Sequence, residues 1–280
     1  LRGIILLVIE WTIIAYLFHA EFLYFGVLAC IGFSFIILAF VRRLSTQILT
    51  ILSTGLILVS PIYYHLSLNG NFDFLGNFLV TAIFFPQWPY GLYPLSPWLG
   101  VMGLGFVFGR WLKKQQEYPD AARRIAKNLT IGGLISLSAF FLLRIGTGWP
   151  FNYLAISDLE GGFTVTNFFL LSKYPPSFTF LLWTLGGMLL ALAFAFYLQE
   201  SPWFKKYSFP VVLFGTTPLF FYTIHLIVYG AVPIILNLEK AFTLPLTIIV
   251  WIFGLIILYP LCLIFRDLKN KYPQSFLKFI

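Results

Sequence analysis

Three ionisable side chains lie inside long apolar runs: Glu10 in RGIILLVIEWTIIAY, Arg144 in LISLSAFFLLRIG and His225 in PLFFYTIHL. A charge inside such a run is costly, so each is a candidate for function. A carboxylate can take a proton, a guanidinium can grip an anion with its planar fork, and an imidazole can exchange a proton near neutral pH. Each also has a structural use. Glu10 can pair with a donor on a neighbouring helix, Arg144 can snorkel to headgroups, and His225 can bond within the packing. No metal chemistry is indicated, because His19, His65 and His225 share no ligand spacing. Cys30 and Cys262 sit in apolar runs and read as small buried hydrophobes.

The elements that must position these groups are membrane helices. Of the 280 residues 60% are apolar and 10% charged, against about 25% charged in soluble domains. Eight runs are long enough to span, at about 20 residues each. They cover roughly 3–19, 22–41, 46–64, 94–112, 129–147, 178–198, 208–231 and 243–265. The spacing predicts an all-α polytopic bundle of about eight transmembrane helices in a single domain over 1–280. Pro61 should end the third run, while Pro94 and Pro97 open the fourth and Pro175 and Pro176 the sixth.

Charge orients the bundle. Fifteen of the eighteen Lys and Arg fall in alternate gaps: Arg2; Arg42 and Arg43; the six from Arg110 to Lys127; Lys205 and Lys206; and the four from Arg266 onward. The excess marks those gaps, and both termini, as cytoplasmic. The net charge of +8 is therefore topology and not a sign of nucleic acid. His19, His65, Asp73, Arg144, Asp158, Glu160, Lys173 and His225 all fall toward the outside, lining a polar vestibule.

The outer loops 65–93 and 148–177 are long enough to be functional. The first holds an apolar piece, GNFLVTAIFF, too short to span and expected at the interface or re-entrant. The inner loop 113–128, KKQQEYPDAARRIAKN, is basic: an anchor, or a surface for anionic lipid or an anionic cytosolic ligand. GVMGLGFVFG mimics a phosphate loop but lies mid-membrane without a preceding strand. Its Gly105 and Gly109 have the spacing of a close helix contact.

Several stretches carry a resemblance. LRGIILLVIE with YFGVLACIGFSFIILAF, then PLSPWLGVMGLGFVFGR, then SKYPPSFTFLLWTLG with FGTTPLFFYTIHL resemble the heparan-alpha-glucosaminide N-acetyltransferase catalytic-domain family in its bacterial branch. The resemblance implies a multi-pass protein of the bacterial inner or plasma membrane. It would carry an acetyl group from cytosolic acetyl-CoA to a sugar or glycan on the far side. Such transfer needs a base, donors facing the oxyanion and cations for the CoA phosphates. The family's main histidine belongs to spans expected upstream of Leu1, so the chain reads as the C-terminal portion of a longer acyltransferase domain. His225 becomes an accessory catalytic candidate, Arg144, Lys173 and Trp98 candidates for the acceptor, and Arg110 and Lys113 for the CoA. The implied partners are the bilayer, an acyl-CoA, a sugar acceptor and a second copy in a homo-oligomer, with no metal. Two rival readings stay open: a transporter or flippase of small polar or lipid substrates, and a scaffold for another subunit.

Overall fold

The computed structural model describes residues 1–17, 23–68, 82–84, 86, 91–146, 148, 151–235 and 243–279. His19, Asp73, Lys240 and most of GNFLVTAIFF lie outside the described residues. Each of the eight predicted runs carries a helix, and among the described residues there is no strand, only isolated bridges. By length and apolarity four helices can cross a membrane: Thr46–His65, Ala121–Gly146, Phe178–Leu198 and Leu244–Lys271. A fifth span forms if Phe209–Thr216 and Pro218–Gly230, bent by 96°, count as one. Helices of this length and apolarity make the chain an integral membrane protein. Its contacts divide it into two compact units, Leu1–Leu198 and Gln199–Ile280.

The first unit opens with α1 (Arg2–Ile9), which continues through a π-helical turn, Glu10–Ile14, into α2 (Ala15–Leu17). Next come α3 (Val27–Val41), α4 (Thr46–Leu68), α5 (Leu95–Gln115), α6 (Ala121–Gly146), the short α7 (Val165–Phe169) and α8 (Phe178–Leu198). Two sequence expectations are corrected. The second run is helical only from Val27, because Phe25 is extended, bridging Gly91 and accepting from Leu92 N and Tyr93 N. The third run does not stop at Pro61 but continues to Leu68; membrane helices tolerate the one lost backbone bond.

Glycines set the helix contacts, since backbones in a bilayer associate by close packing. Helices α6 and α8 form the most extensive pair. Gly133 receives Leu190 and Gly186 receives Leu137; a Cβ at Gly133 would lie 2.7 Å from Leu190 Cδ2. Helices α1 and α3 cross where Gly3 and Gly32 face each other, each leaving room for the other's carbonyl at 2.7 and 2.8 Å from an added Cβ. Between α4 and α5 the close approach uses Gly100 and Gly103 against Ser53. Gly105 and Gly109, expected in that role, face open space. The turn of the helix carries the Gly100–Gly103 face onto α4 and leaves Gly105 and Gly109 elsewhere on the helix.

The second unit holds α9 (Pro202–Tyr207), α10 (Phe209–Thr216), α11 (Pro218–Ile235) and α12 (Leu244–Lys271). Buried Thr217 separates α10 from α11 and donates its hydroxyl to Leu213 O at 3.2 Å. Tyr229 lies over Gly254 and donates to Trp251 O at 2.7 Å, joining α11 to α12. Phe220 stacks on Phe265 with 4.2 Å between ring centres.

Candidate functional site

The bridge between Phe25 and Gly91 delivers Tyr93 to the start of α5, and Trp98 lies one turn into that helix. Their ring centres are 5.6 Å apart. From the other outer loop comes a tight turn in which Ser172 O accepts from Ser177 N and Ser172 Oγ donates to Pro175 O. That turn presents Lys173 and Tyr174. The two loops meet there. The hydroxyls of Tyr93 and Tyr174 are 2.9 Å apart, and their rings meet edge to face. Lys173 Nζ stands 5.6 Å from the Tyr93 ring centre and 5.1 Å from that of Tyr174, within cation–π range.

The electrostatics fix which groups are charged. Burial, and then the bond to Tyr174, push the Tyr93 phenol up to about 12. Burial pulls the Lys173 ammonium down, but the hydroxyls of Tyr93 and Tyr174 outweigh it and leave it raised. Near neutral pH Lys173 is thus a cation beside the protonated phenol of Tyr93. A Cβ at Gly26 would collide with both Glu10 Oε1 and a ring carbon of Tyr24, so these two side chains share one neighbourhood. Exposed Lys173, the half-buried ring of Tyr93 and the indole of Trp98 offer a charge, hydroxyl donors and apolar faces. That set suits a polyhydroxy ligand, whose rings have apolar faces and polar edges.

Glu10, in the π-helical turn after α1, is fully buried. Its Oε2 accepts from Leu28 N at 2.7 Å and Ala29 N at 3.3 Å, so it caps the N-terminus of α3 from a different helix. Its Oε1 has no partner among the described residues. Gly26 is needed beside it, because a Cβ there would collide with Oε1.

The other predicted residues have different surroundings. Arg144 is 2% exposed and does not face open space. Its guanidinium donates to Phe168 O at 2.8 Å, Leu154 O at 2.5 Å, Asn167 O at 2.6 Å and Leu170 O at 3.0 Å. These carbonyls belong to the outer loop and the C-terminal end of α7, where a cation is favoured. Arg110 likewise turns to backbone: it donates to Leu44 O at 2.9 Å and to Arg42 O, with Phe106 under its guanidinium. Lys113 is exposed on the last turn of α5. His225 belongs to the second unit, where Nδ1 is 3.2 Å from Phe221 O and the ring stacks on Phe221.

Lys173 and Trp98 are therefore brought into one neighbourhood, each packing on Tyr93. The tyrosines beside them were missed from the sequence, yet they carried a signal. Tyr93-Pro94 and Tyr174-Pro175 repeat one dipeptide in the two outer loops, an amphipathic ring on a stiff backbone.

A family model described as heparan-alpha-glucosaminide N-acetyltransferase, catalytic, matches residues 2–146. No curated protein and no solved structure matches the chain.

Proposed function

The chain belongs to the heparan-alpha-glucosaminide N-acetyltransferase catalytic family, and from that premise we propose that it moves an acetyl group from cytosolic acetyl-CoA to an extracytoplasmic sugar or glycan. The observation that supports an acceptor site is the meeting of Lys173, Tyr93, Tyr174 and Trp98 from two outer loops. A sugar ring would lie against the aromatic faces while the ammonium and phenols bond its hydroxyls or an acidic substituent. In the transfer the acetyl carbon–sulfur bond breaks and a carbon–nitrogen or carbon–oxygen bond forms. The acceptor's proton passes to a base, which hands it on to the departing sulfur, so that CoA leaves as the thiol. His225, in the second unit, is the accessory catalytic candidate. On the donor side Lys113 meets the CoA phosphates, and Arg110 holds the turn beside it.

This reading carries the topology of eight spans, with both termini and 113–128 cytoplasmic. The protein sits in a bacterial inner or plasma membrane. Arg144 serves the acceptor indirectly, by fixing the loop between α6 and α8.

The test uses proteoliposomes with labelled acetyl-CoA on the cytoplasmic side and amino sugars on the other. Label should pass to the sugar, and Lys173→Gln with Tyr93→Phe should raise KM for the acceptor while leaving CoA affinity alone. Absence of any transfer by the folded full-length protein would remove the reading. The break at Thr217 supports a second one, since broken helices at membrane depth line transport pathways. Sugar flux without acetyl-CoA would favour that transporter.

A further inference from the structure

On the first unit, the faces of α3 and α5 leave a groove of about 540 Å³, within the roughly 300–1,000 Å³ typical of ligand pockets. Its α3 wall is Phe35, Leu38 and Ala39, and its α5 wall Met102, Gly105 and Phe106. Positions 35, 38, 39 and 42 repeat as one helix face, as do 102, 105 and 106. Gly105 makes the recess: a Cβ there would meet nothing within 4 Å.

The groove runs out at a cationic end. Arg42 lines it there, exposed. Arg110, one turn beyond Phe106, spends its donors on the carbonyls of Leu44 and Arg42 and covers the Phe106 ring at 4.8 Å. Among the described residues no carboxylate pairs with Arg42. An apolar channel ending in an unneutralised guanidinium fits an amphiphile with an alkyl tail and an anionic head. Arg42 caps the C-terminal end of the apolar helix α3, and if α3 spans, as the proposed function has it, Arg42 falls at headgroup depth. We propose that this groove holds one acyl chain of an anionic phospholipid, with its phosphate on Arg42. A lipid held this way would fill the α3–α5 seam, whose other end carries Tyr93 and Trp98.

The experiment mixes detergent-purified full chain with equal amounts of phosphatidylglycerol and phosphatidylcholine bearing the same chains. Native mass spectrometry then counts the bound lipid. One lipid should be retained, with phosphatidylglycerol favoured about five-fold, the preference one interfacial cation gives. Arg42→Gln should abolish that preference. Gly105→Leu should empty the groove, whereas Gly187→Leu, which fills an equally open glycine on α8, should keep the lipid. Equal retention by Gly105→Leu, or no headgroup preference in the native chain, overturns the proposal. So does displacement of the lipid by acyl-CoA, or a native dimer that Gly105→Leu dissociates, each of which names another occupant. If Gly105→Leu fails to fold, the Arg42→Gln comparison decides alone.

Discussion

Arg144→Lys separates a loop clamp from a substrate ligand. The native guanidinium spreads four bonds over the carbonyls of Leu154, Asn167, Phe168 and Leu170. A lysine ends in a single nitrogen and cannot span that fork, so about two of the four bonds go unmade. A bond to a charged group contributes roughly 1.5–3 kcal/mol, which puts the loss near 3–6 kcal/mol before the loop relaxes. At ~2–4 °C per kcal/mol for a chain of this order, the melting point should fall by roughly 10 °C. Tryptophan fluorescence in detergent reads the melt, and limited proteolysis within 148–170 reads opening of the loop. Because the partners are carbonyls and not carboxylates, the shift should be the same at low and high salt. If Arg144→Lys melts with the native protein, resists protease and yet loses acceptor turnover, the clamp is wrong and Arg144 binds substrate.

Glu10→Gln keeps an acceptor for Leu28 N but puts an amide nitrogen in place of the other carboxyl oxygen at the N-terminus of α3, and should cost about 1 kcal/mol in a thermal melt. Gly26→Ala should destabilise the native chain and do so less in a Glu10→Ala background, with a coupling on the order of 1 kcal/mol; additive effects would detach the glycine from the carboxylate. For topology, a cysteine replacing Glu160 should react with an impermeant thiol reagent in intact cells and one replacing Gln116 should not. The opposite labelling inverts the protein and moves the acceptor site to the cytosol.

Composition alone made the helices legible: each run carries a helix, although the second begins only at Val27 and the seventh breaks at Thr217. What periodicity could not supply is which polar group meets which backbone. Arg144 and Arg110 have the sequence signature of cations waiting for an anion, yet both are spent on carbonyls at chain turns. A hydropathy profile records the side chain's charge but not the unpaired carbonyls that neutralise it. The start of α3 was misplaced for a related reason. Residues from Tyr24 are apolar enough to continue a helix, and only the distant Gly91 holds Phe25 extended. The glycine spacing misled because Gly100–Gly103 and Gly105–Gly109 are both credible contact faces, and Ser53 on α4 selects the first. In the candidate site, Lys173 and Trp98 were visible as types, but the tyrosine pair that links the two outer loops was not.

The crossing of α1 and α3 has a mechanical consequence. Gly3 meets Gly32 at one point, and Glu10 grips Leu28 and Ala29 at another. Along α1 these points are seven residues apart, or about 10 Å at 1.5 Å per residue. One point of contact would leave a hinge; two remove the rotation as well as the slide. The pair therefore has the degrees of freedom of a single rod, with Tyr24 near one end and Arg42 at the other. A push at either end is thus shared by both helices, where a single contact would let one swing past the other.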